Sequence, residues 1–153
     1  MTEPTDTPEQ TARDLAAQLT DNGLWDPAST ARAWIIEHLD TDQAADIATR
    51  TLRLERERRF RDWKATRTLD PTNRFRTPTK ALLYEEALAL AAQEPDAELT
   101  RRDGLTLTRL TYDLKVIHPD VPARVITLIV SKALRVERMR RAPRLLSPIM
   151  VLE

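Results

Sequence analysis

The scarcity of glycine is the feature that most limits what this chain can fold into. Of its 153 residues only two are glycine, Gly23 and Gly104, whereas ten are proline. Tight β-hairpins usually need residues with a positive φ angle, so a chain with two glycines has few places for them. The prolines fall mostly where helices should begin or end. Together with apolar residues at helical spacing, this pattern predicts an all-α fold.

Capping residues predict where the helices begin and end. Thr7-Pro8 and Thr77-Pro78 each combine an N-cap hydroxyl with a proline at the first helical position. Gly23 is predicted to end the first helix, Thr106 to cap the fifth and Pro143 to end the sixth. We therefore predict about six helices, at roughly 8–22, 26–39, 41–67, 78–93, 106–117 and 120–141.

The last two predicted helices have clear apolar faces. The fifth has leucine or isoleucine at 107, 110, 114 and 117, and the sixth has apolar residues at 125, 128, 129, 133 and 136. Both spacings indicate one buried side of a helix. The segment Val125–Val130 has an alternative as a β-strand, because it is rich in β-branched residues.

The predicted organisation is two three-helix units joined by a short linker. Residues 1–67 form an acidic helical unit that ends in an arginine-rich helix, and residues 78–153 form a second helical unit with an apolar tail. Between them, residues 68–77 contain the turn formers Asp70-Pro71 and Asn73, and the helical period lapses there. No internal repeat at a fixed period is found.

Charge is divided unequally along the chain, although the formal net charge is zero. Residues 1–49 carry ten carboxylates against two arginines, net −8, and residues 50–153 carry 22 bases against 14 acids, net +8. Bases concentrate at 50–67 and 135–144, as expected of a surface that neutralises phosphates. The predicted nucleic-acid-binding residues are Arg53, Arg56, Arg58, Arg59, Arg61, Trp63, Lys64, Arg67, Arg135, Arg138, Arg140, Arg141 and Arg144.

Two alternatives compete with nucleic-acid binding. The arginine-rich helix could be a solvated surface whose charges pair internally, through Glu55–Arg59, Glu57–Arg61 and Arg58–Asp62 at helical i,i+4 spacing. The chain could also be a protein–protein adaptor or a self-associating subunit. Pro148 predicts an extended tail, whose six apolar residues would bind a partner: Leu145, Leu146, Ile149, Met150, Val151 and Leu152.

Several function classes find no support in the sequence. Without cysteine there is no disulfide and no thiolate ligand or nucleophile. No catalytic motif, metal-binding cluster or cofactor fingerprint is found, so we expect a non-enzymatic protein without a cofactor. The longest strongly apolar stretch, Val125–Val130, is too short to span a membrane. The acidic, polar N-terminus is not a signal peptide, and we expect a cytoplasmic protein.

Overall fold

The computed structural model describes residues 6–25 and 30–151, with side chains described through residue 143. Over these residues its regular secondary structure is helical, which confirms the predicted all-α class. The described helices are α1 (Pro8–Gln18), α2 (Asp21–Leu24), α3 (Thr30–Glu37), α4 (Ala44–Ala65), α5 (Pro78–Ala92), α6 (Asp96–Leu99), α7 (Leu105–Ile117) and α8 (Ala123–Val151).

The chain divides into two compact units, Met1–Thr68 and Leu69–Glu153. In the first unit, α4 packs against α1 and α3. In the second, α8 packs against α5 and α7. Each unit therefore has its own core. The first core includes Ala12, Ala16, Leu24, Ile35, Ile47, Ala48 and Leu52, and the second includes Leu83, Tyr84, Leu99, Leu110, Leu114, Ile126, Ile129, Val130 and Leu134.

Two four-residue helices, α2 and α6, account for the difference from the six helices predicted. Gly23 lies inside α2, so the prediction that it ends α1 is wrong. The C-cap of α1 is Leu19, and Thr20 then caps α2 by accepting a hydrogen bond from the Gly23 amide at 3.2 Å. A single helical turn contains too few residues to show an apolar period, which is why the sequence does not reveal it.

The predicted helix starts are confirmed for α1 and α5 and wrong for α7. Thr7 and Thr77 each accept a hydrogen bond from the backbone amide three residues later, and each is followed by proline. The cap of α7 is Gly104, whose φ of 76° is left-handed and favours glycine. Thr106 is instead buried, and its hydroxyl donates to the Glu98 carbonyl oxygen at 2.9 Å.

The helix α8 is longer than predicted. It continues through Pro143 and Pro148 to Val151, so both the predicted end at Pro143 and the predicted extended tail are wrong. A proline removes its own backbone donor, but its neighbours can keep their helical bonds. The segment Val125–Val130 lies within α8 and is therefore not a strand.

The predicted buried faces are right at their centres and wrong at two positions. Leu110, Leu114 and Ile129 are at most 2 % exposed. Ile117 and Leu128 are 64 % and 66 % exposed, although both fit the predicted spacing. Ile117 is the last residue of α7, where the helix ends before its side chain reaches the core.

The predicted linker is residues 68–77, and all of it except Thr68 lies within the second unit, where it packs against α5. Asn73 is 8 % exposed, and its side-chain amide donates to the Ala81 carbonyl oxygen at 2.9 Å. The Asp70 amide donates to the Glu85 carboxylate at 2.7 Å, and the hydroxyls of Thr72 and Tyr84 lie 2.6 Å apart. These bonds replace the helical backbone pairing that the segment lacks.

Candidate functional site

Two arginines of α4 are used inside the first unit. Arg59 donates from Nη2 to the carbonyl oxygens of Ala16 and Ala17 at 3.2 and 3.3 Å, from Nη1 to Asp21 at 3.0 Å and from Nε to Glu55 at 2.8 Å. Arg56 donates from Nε to the Leu24 carbonyl oxygen at 2.8 Å. The last carbonyls of a helix have no intrahelical partner, and a cation is favourable there. This first arginine pair, Arg56 and Arg59, thus caps α1 and α2.

The second unit contains the same arrangement on α8. Arg141 donates from Nη2 to the carbonyl oxygens of Ala91 and Ala92 at 3.1 and 2.9 Å, from Nη1 to Asp96 at 3.0 Å and from Nε to Glu137 at 2.7 Å. Arg138 donates from Nε to the Leu99 carbonyl oxygen at 2.6 Å. This second arginine pair, Arg138 and Arg141, caps α5 and α6 with the same nitrogens that the first pair uses.

The sequences around the two arginine pairs match as well. Residues 15–24 read LAAQLTDNGL and residues 90–99 read LAAQEPDAEL, with six of ten positions identical. Residues 52–59 read LRLERERR and residues 134–141 read LRVERMRR, with six of eight identical. The first match is offset by 75 residues and the second by 82. The chain therefore contains an internal repeat, which a search at a fixed period misses.

Two further arginines of the predicted site pair with carboxylates. Arg58 contacts Glu55 at 2.6 Å and Asp62 at 3.2 Å, while Arg140 contacts both oxygens of Asp70 at 2.7 Å. Of the three ion pairs predicted along α4, Glu55–Arg59 and Arg58–Asp62 are present. The Arg140 guanidinium, and next the Thr72 hydroxyl, lower the pKa of the Asp70 carboxyl to about 2.

The lowered pKa of Asp70 predicts an acid-sensitive contribution to stability. A carboxyl whose pKa falls on folding stabilises the fold above its unfolded pKa, near 3.8, and loses that effect as the pH falls toward 2. We expect Asp70→Asn to lower the free energy of unfolding by about 1–2 kcal/mol at pH 6, after allowing for the exposed Arg140. At pH 2 the two proteins should be nearly equal in urea titrations. A difference that is the same at both pH values would contradict the assignment.

The remaining bases of α4 lie on the side opposite the core. We define the outer face of α4 as Arg50, Arg53, Glu57, Arg61 and Lys64, which recur at spacings of three and four residues, and all are exposed. None of the four basic side chains contacts a carboxylate among the described residues. The outer face therefore presents four cations and one carboxylate to solvent.

An aromatic pair borders this outer face. The rings of Phe60 and Trp63 stack with centroids 5.6 Å apart, and the Arg67 guanidinium lies 4.7 Å from the centre of the Trp63 ring. Both rings are half-buried. Neither belongs to the hydrophobic core of the first unit as described. The pair is therefore partly accessible on α4, beside the four cations of the outer face.

The second predicted cluster has fewer available cations than the first. Arg138, Arg140 and Arg141 are engaged as described above, and Arg135 is exposed without a described partner. The side chain of Arg144 lies outside the described residues, as do the side chains of the predicted partner-binding residues Leu145, Leu146, Ile149, Met150 and Val151 and the whole of Leu152.

An exposed apolar strip on α7 was missed by sequence reasoning. Leu105, Tyr112 and Val116 are 54 %, 68 % and 63 % exposed, and their spacing of seven and four residues places them on one face of α7. This face is opposite the buried Leu110 and Leu114. The signal was present, because α7 has apolar residues on more than one side.

Comparison with protein-family models, with curated proteins and with solved structures gives no match to this chain. Within the described ranges, no three side chains of His, Asp or Glu come close enough together to hold a metal ion. None of the described helices combines the length and the apolar character that crossing a bilayer requires.

Proposed function

We propose that this protein binds nucleic acid through phosphate contacts made by the outer face of α4. The observation that supports the proposal is a set of four exposed cations, Arg50, Arg53, Arg61 and Lys64, which have no carboxylate partner in the described part of the chain. Arginines that cap helices inside the two units are not part of this proposed surface. The function is non-enzymatic.

The dimensions of the outer face suit a phosphate backbone. From Arg50 to Lys64 the helix extends about 21 Å, at 1.5 Å per residue. Each phosphate that a cation neutralises releases condensed counterions, which favours binding without any base contact. The Phe60–Trp63 pair adds aromatic surface beside the cations, on which unpaired bases could stack. We therefore favour single-stranded over duplex nucleic acid.

Salt dependence tests the proposal directly. We expect a labelled single strand to bind at low salt, with log affinity falling against log salt at a slope near −2.8 if about four phosphates are neutralised. Replacing Arg50, Arg53, Arg61 and Lys64 together by glutamine should flatten the slope and weaken binding by at least about a hundredfold at low salt. Fluorescence anisotropy at several salt concentrations measures both quantities.

A control variant distinguishes the contribution of the outer face of α4 from the effect of net charge alone. Arg74, Arg76, Lys80 and Arg124 are exposed bases of the second unit without described partners, and replacing all four by glutamine changes the net charge equally. This variant should bind as the parent protein does. Absence of binding at low salt, or equal losses in the two variants, would overturn the proposal.

A protein–protein adaptor is the second candidate, and the exposed apolar strip of α7 favours it. Leu105, Tyr112 and Val116 expose large side chains that a partner surface could cover. Under this function the salt titration should be negative. Light scattering should then show a mass above the 17.5 kDa of one chain when the partner is a second copy.

A further inference from the structure

The second unit contains a cavity of about 490 Å³ beside the second arginine pair. Its apolar lining comes from Leu107, with the buried Leu99 and Leu134 beneath it, and its cationic lining from Arg101, Arg102 and Arg138. No carboxylate is among the lining residues. Cavities of this size hold small organic ligands in many proteins. The combination of leucine and arginine indicates a ligand with an apolar part and a negative charge.

The cationic lining has charges available for a ligand. Arg138 is held in place by the bond from its Nε to the Leu99 carbonyl oxygen, while its terminal nitrogens have no described protein acceptor. Arg102 is exposed and makes no described contact with a carboxylate. Arg101 is already paired, since it contacts Asp103 at 2.6 Å. Arg102 and Arg138 are therefore the two guanidinium groups that can bind an anion.

The internal repeat allows the residues that line this cavity to be compared with those at the equivalent positions of the first unit. The C-cap residue of α6 is Thr100, which lines the cavity, whereas the C-cap residue of α2 is Trp25. The Trp25 side chain is half-buried and packs against the core of the first unit. A small side chain thus stands in the second unit where the first has its bulkiest type.

A second pair of equivalent positions differs in the same sense. In the first unit, Arg32 donates from Nε to the Thr49 hydroxyl at 2.8 Å. The offset of 75 extends to α3, since the buried Ala31 and Ile35 then match the buried Thr106 and Leu110, and the offset of 82 extends to the start of α4. The residues that correspond to Arg32 and Thr49 are then Leu107 and Ser131, and both line the cavity. The Ser131 hydroxyl has no described hydrogen-bond partner. The second unit therefore has an apolar side chain and an available hydroxyl where the first unit has an internal hydrogen bond.

We propose that the cavity of the second unit binds a small organic anion, a phosphate or carboxylate group attached to an apolar body. Arg102 and Arg138 hold the charged group through charge-assisted hydrogen bonds, and the partly exposed Leu107 contacts the apolar body. Ser131 supplies one further hydrogen bond. This site does not involve the outer face of α4 and does not depend on nucleic-acid binding.

Nuclear magnetic resonance of the full chain tests the site with chosen probes. We expect phenyl phosphate to shift the amide signals of Thr100, Leu107 and Ser131 in a saturable way, and inorganic phosphate to shift the same signals more weakly. Benzyl alcohol, which has the ring without the charge, should itself bind at least tenfold more weakly than phenyl phosphate. Equal binding of benzyl alcohol and phenyl phosphate would overturn the assignment to anions.

Two substitutions test the residues that define the site. Arg102→Ala should weaken phenyl phosphate binding about tenfold, whereas Arg124→Ala, an exposed arginine outside the cavity, should leave it unchanged. Thr100→Trp introduces the residue of the first unit and should abolish binding while the circular dichroism spectrum stays helical. If the Thr100→Trp variant does not fold, the comparison of Arg102→Ala with Arg124→Ala tests the site by itself. No saturable shift, or equal affinity in the two arginine variants, would overturn the proposal.

Discussion

Replacing Arg141 by methionine is expected to lower the free energy of unfolding of the second unit by about 3–5 kcal/mol. Arg141 is 9 % exposed, and its guanidinium donates to the backbone of α5, to Asp96 and to Glu137. Burial acts to lower the pKa of Arg141, but its hydrogen bonds to Glu137 and Asp96 raise it overall. Without the guanidinium, Glu137 would keep a charge at 8 % exposure and the last carbonyls of α5 would lose their donor.

Two further variants make the Arg141 experiment specific. Arg135 lies on the same helix, is exposed and has no described partner, so Arg135→Met should change stability by no more than about 0.5 kcal/mol. Adding Glu137→Gln to Arg141→Met should recover part of the loss, because it removes the stranded charge. Urea denaturation followed by circular dichroism measures all three. A loss in Arg141→Met no larger than in Arg135→Met would show that the buried contacts contribute little.

Much of the fold was predictable because the capping residues and the apolar spacing in the sequence agree with the helix starts and the buried residues of the structure. The Thr-Pro starts of α1 and α5 are fixed by residues adjacent in sequence, and Leu110 and Ile129 are buried as their spacing predicts. Leu128 has the same apolar type and a fitting position, yet it is exposed. Which apolar residue faces the core depends on where the neighbouring helices lie, and that is not a local property.

The role of the arginines was harder to predict for a related reason. Arginine-rich helices look alike in sequence whether a guanidinium reaches solvent or a helix end. Arg59 follows the buried Ala48 and Leu52 by eleven and seven residues, so it lies on the same side of α4. The helical spacing alone therefore indicated that Arg59 faces the core and not solvent. The carbonyls that it caps, at Ala16 and Ala17, are more than forty residues away. Only the tertiary structure brings those acceptors to it.

The internal repeat could in principle have been found from sequence. The matching segments share LAAQ, an aspartate three residues later and a leucine three after that, then Leu-Arg-x-Glu-Arg-x-Arg-Arg. The interval between the two segments differs by seven residues between the units, and α7 is longer than α3. The bonds made by the arginine pairs show why these residues recur: aspartate, glutamate and arginine form one ion-pair network in each unit.

Replacing Arg59 by methionine is expected to destabilise the first unit by about 2–4 kcal/mol, whereas replacing its neighbour Arg58 should have a much smaller effect. The Arg59 side chain is 17 % exposed and has four acceptors, while the Arg58 side chain is 54 % exposed and pairs with Glu55 and the exposed Asp62 of its own helix. The loss for Arg59 should be smaller than for Arg141, which is more buried and contacts one more carbonyl oxygen.

The comparison of Arg58 and Arg59 isolates the capping contacts, because the two substitutions change charge and composition identically. Arg59→Lys should recover less than half of the loss, since an ammonium group cannot reach acceptors on α1, α2 and α4 in the planar geometry of a guanidinium. Urea denaturation gives the free energies, and hydrogen exchange should show the largest loss of protection in α1 and α4 for the Arg59 variant. Equal effects of the two methionine variants would mean that the charge of α4, and not the capping of α1, is what the arginines contribute. A larger effect for Arg59 would mean that the arginines of α4 have two roles. Arg59 stabilises the fold, and the exposed bases of the helix are available to bind a polyanion.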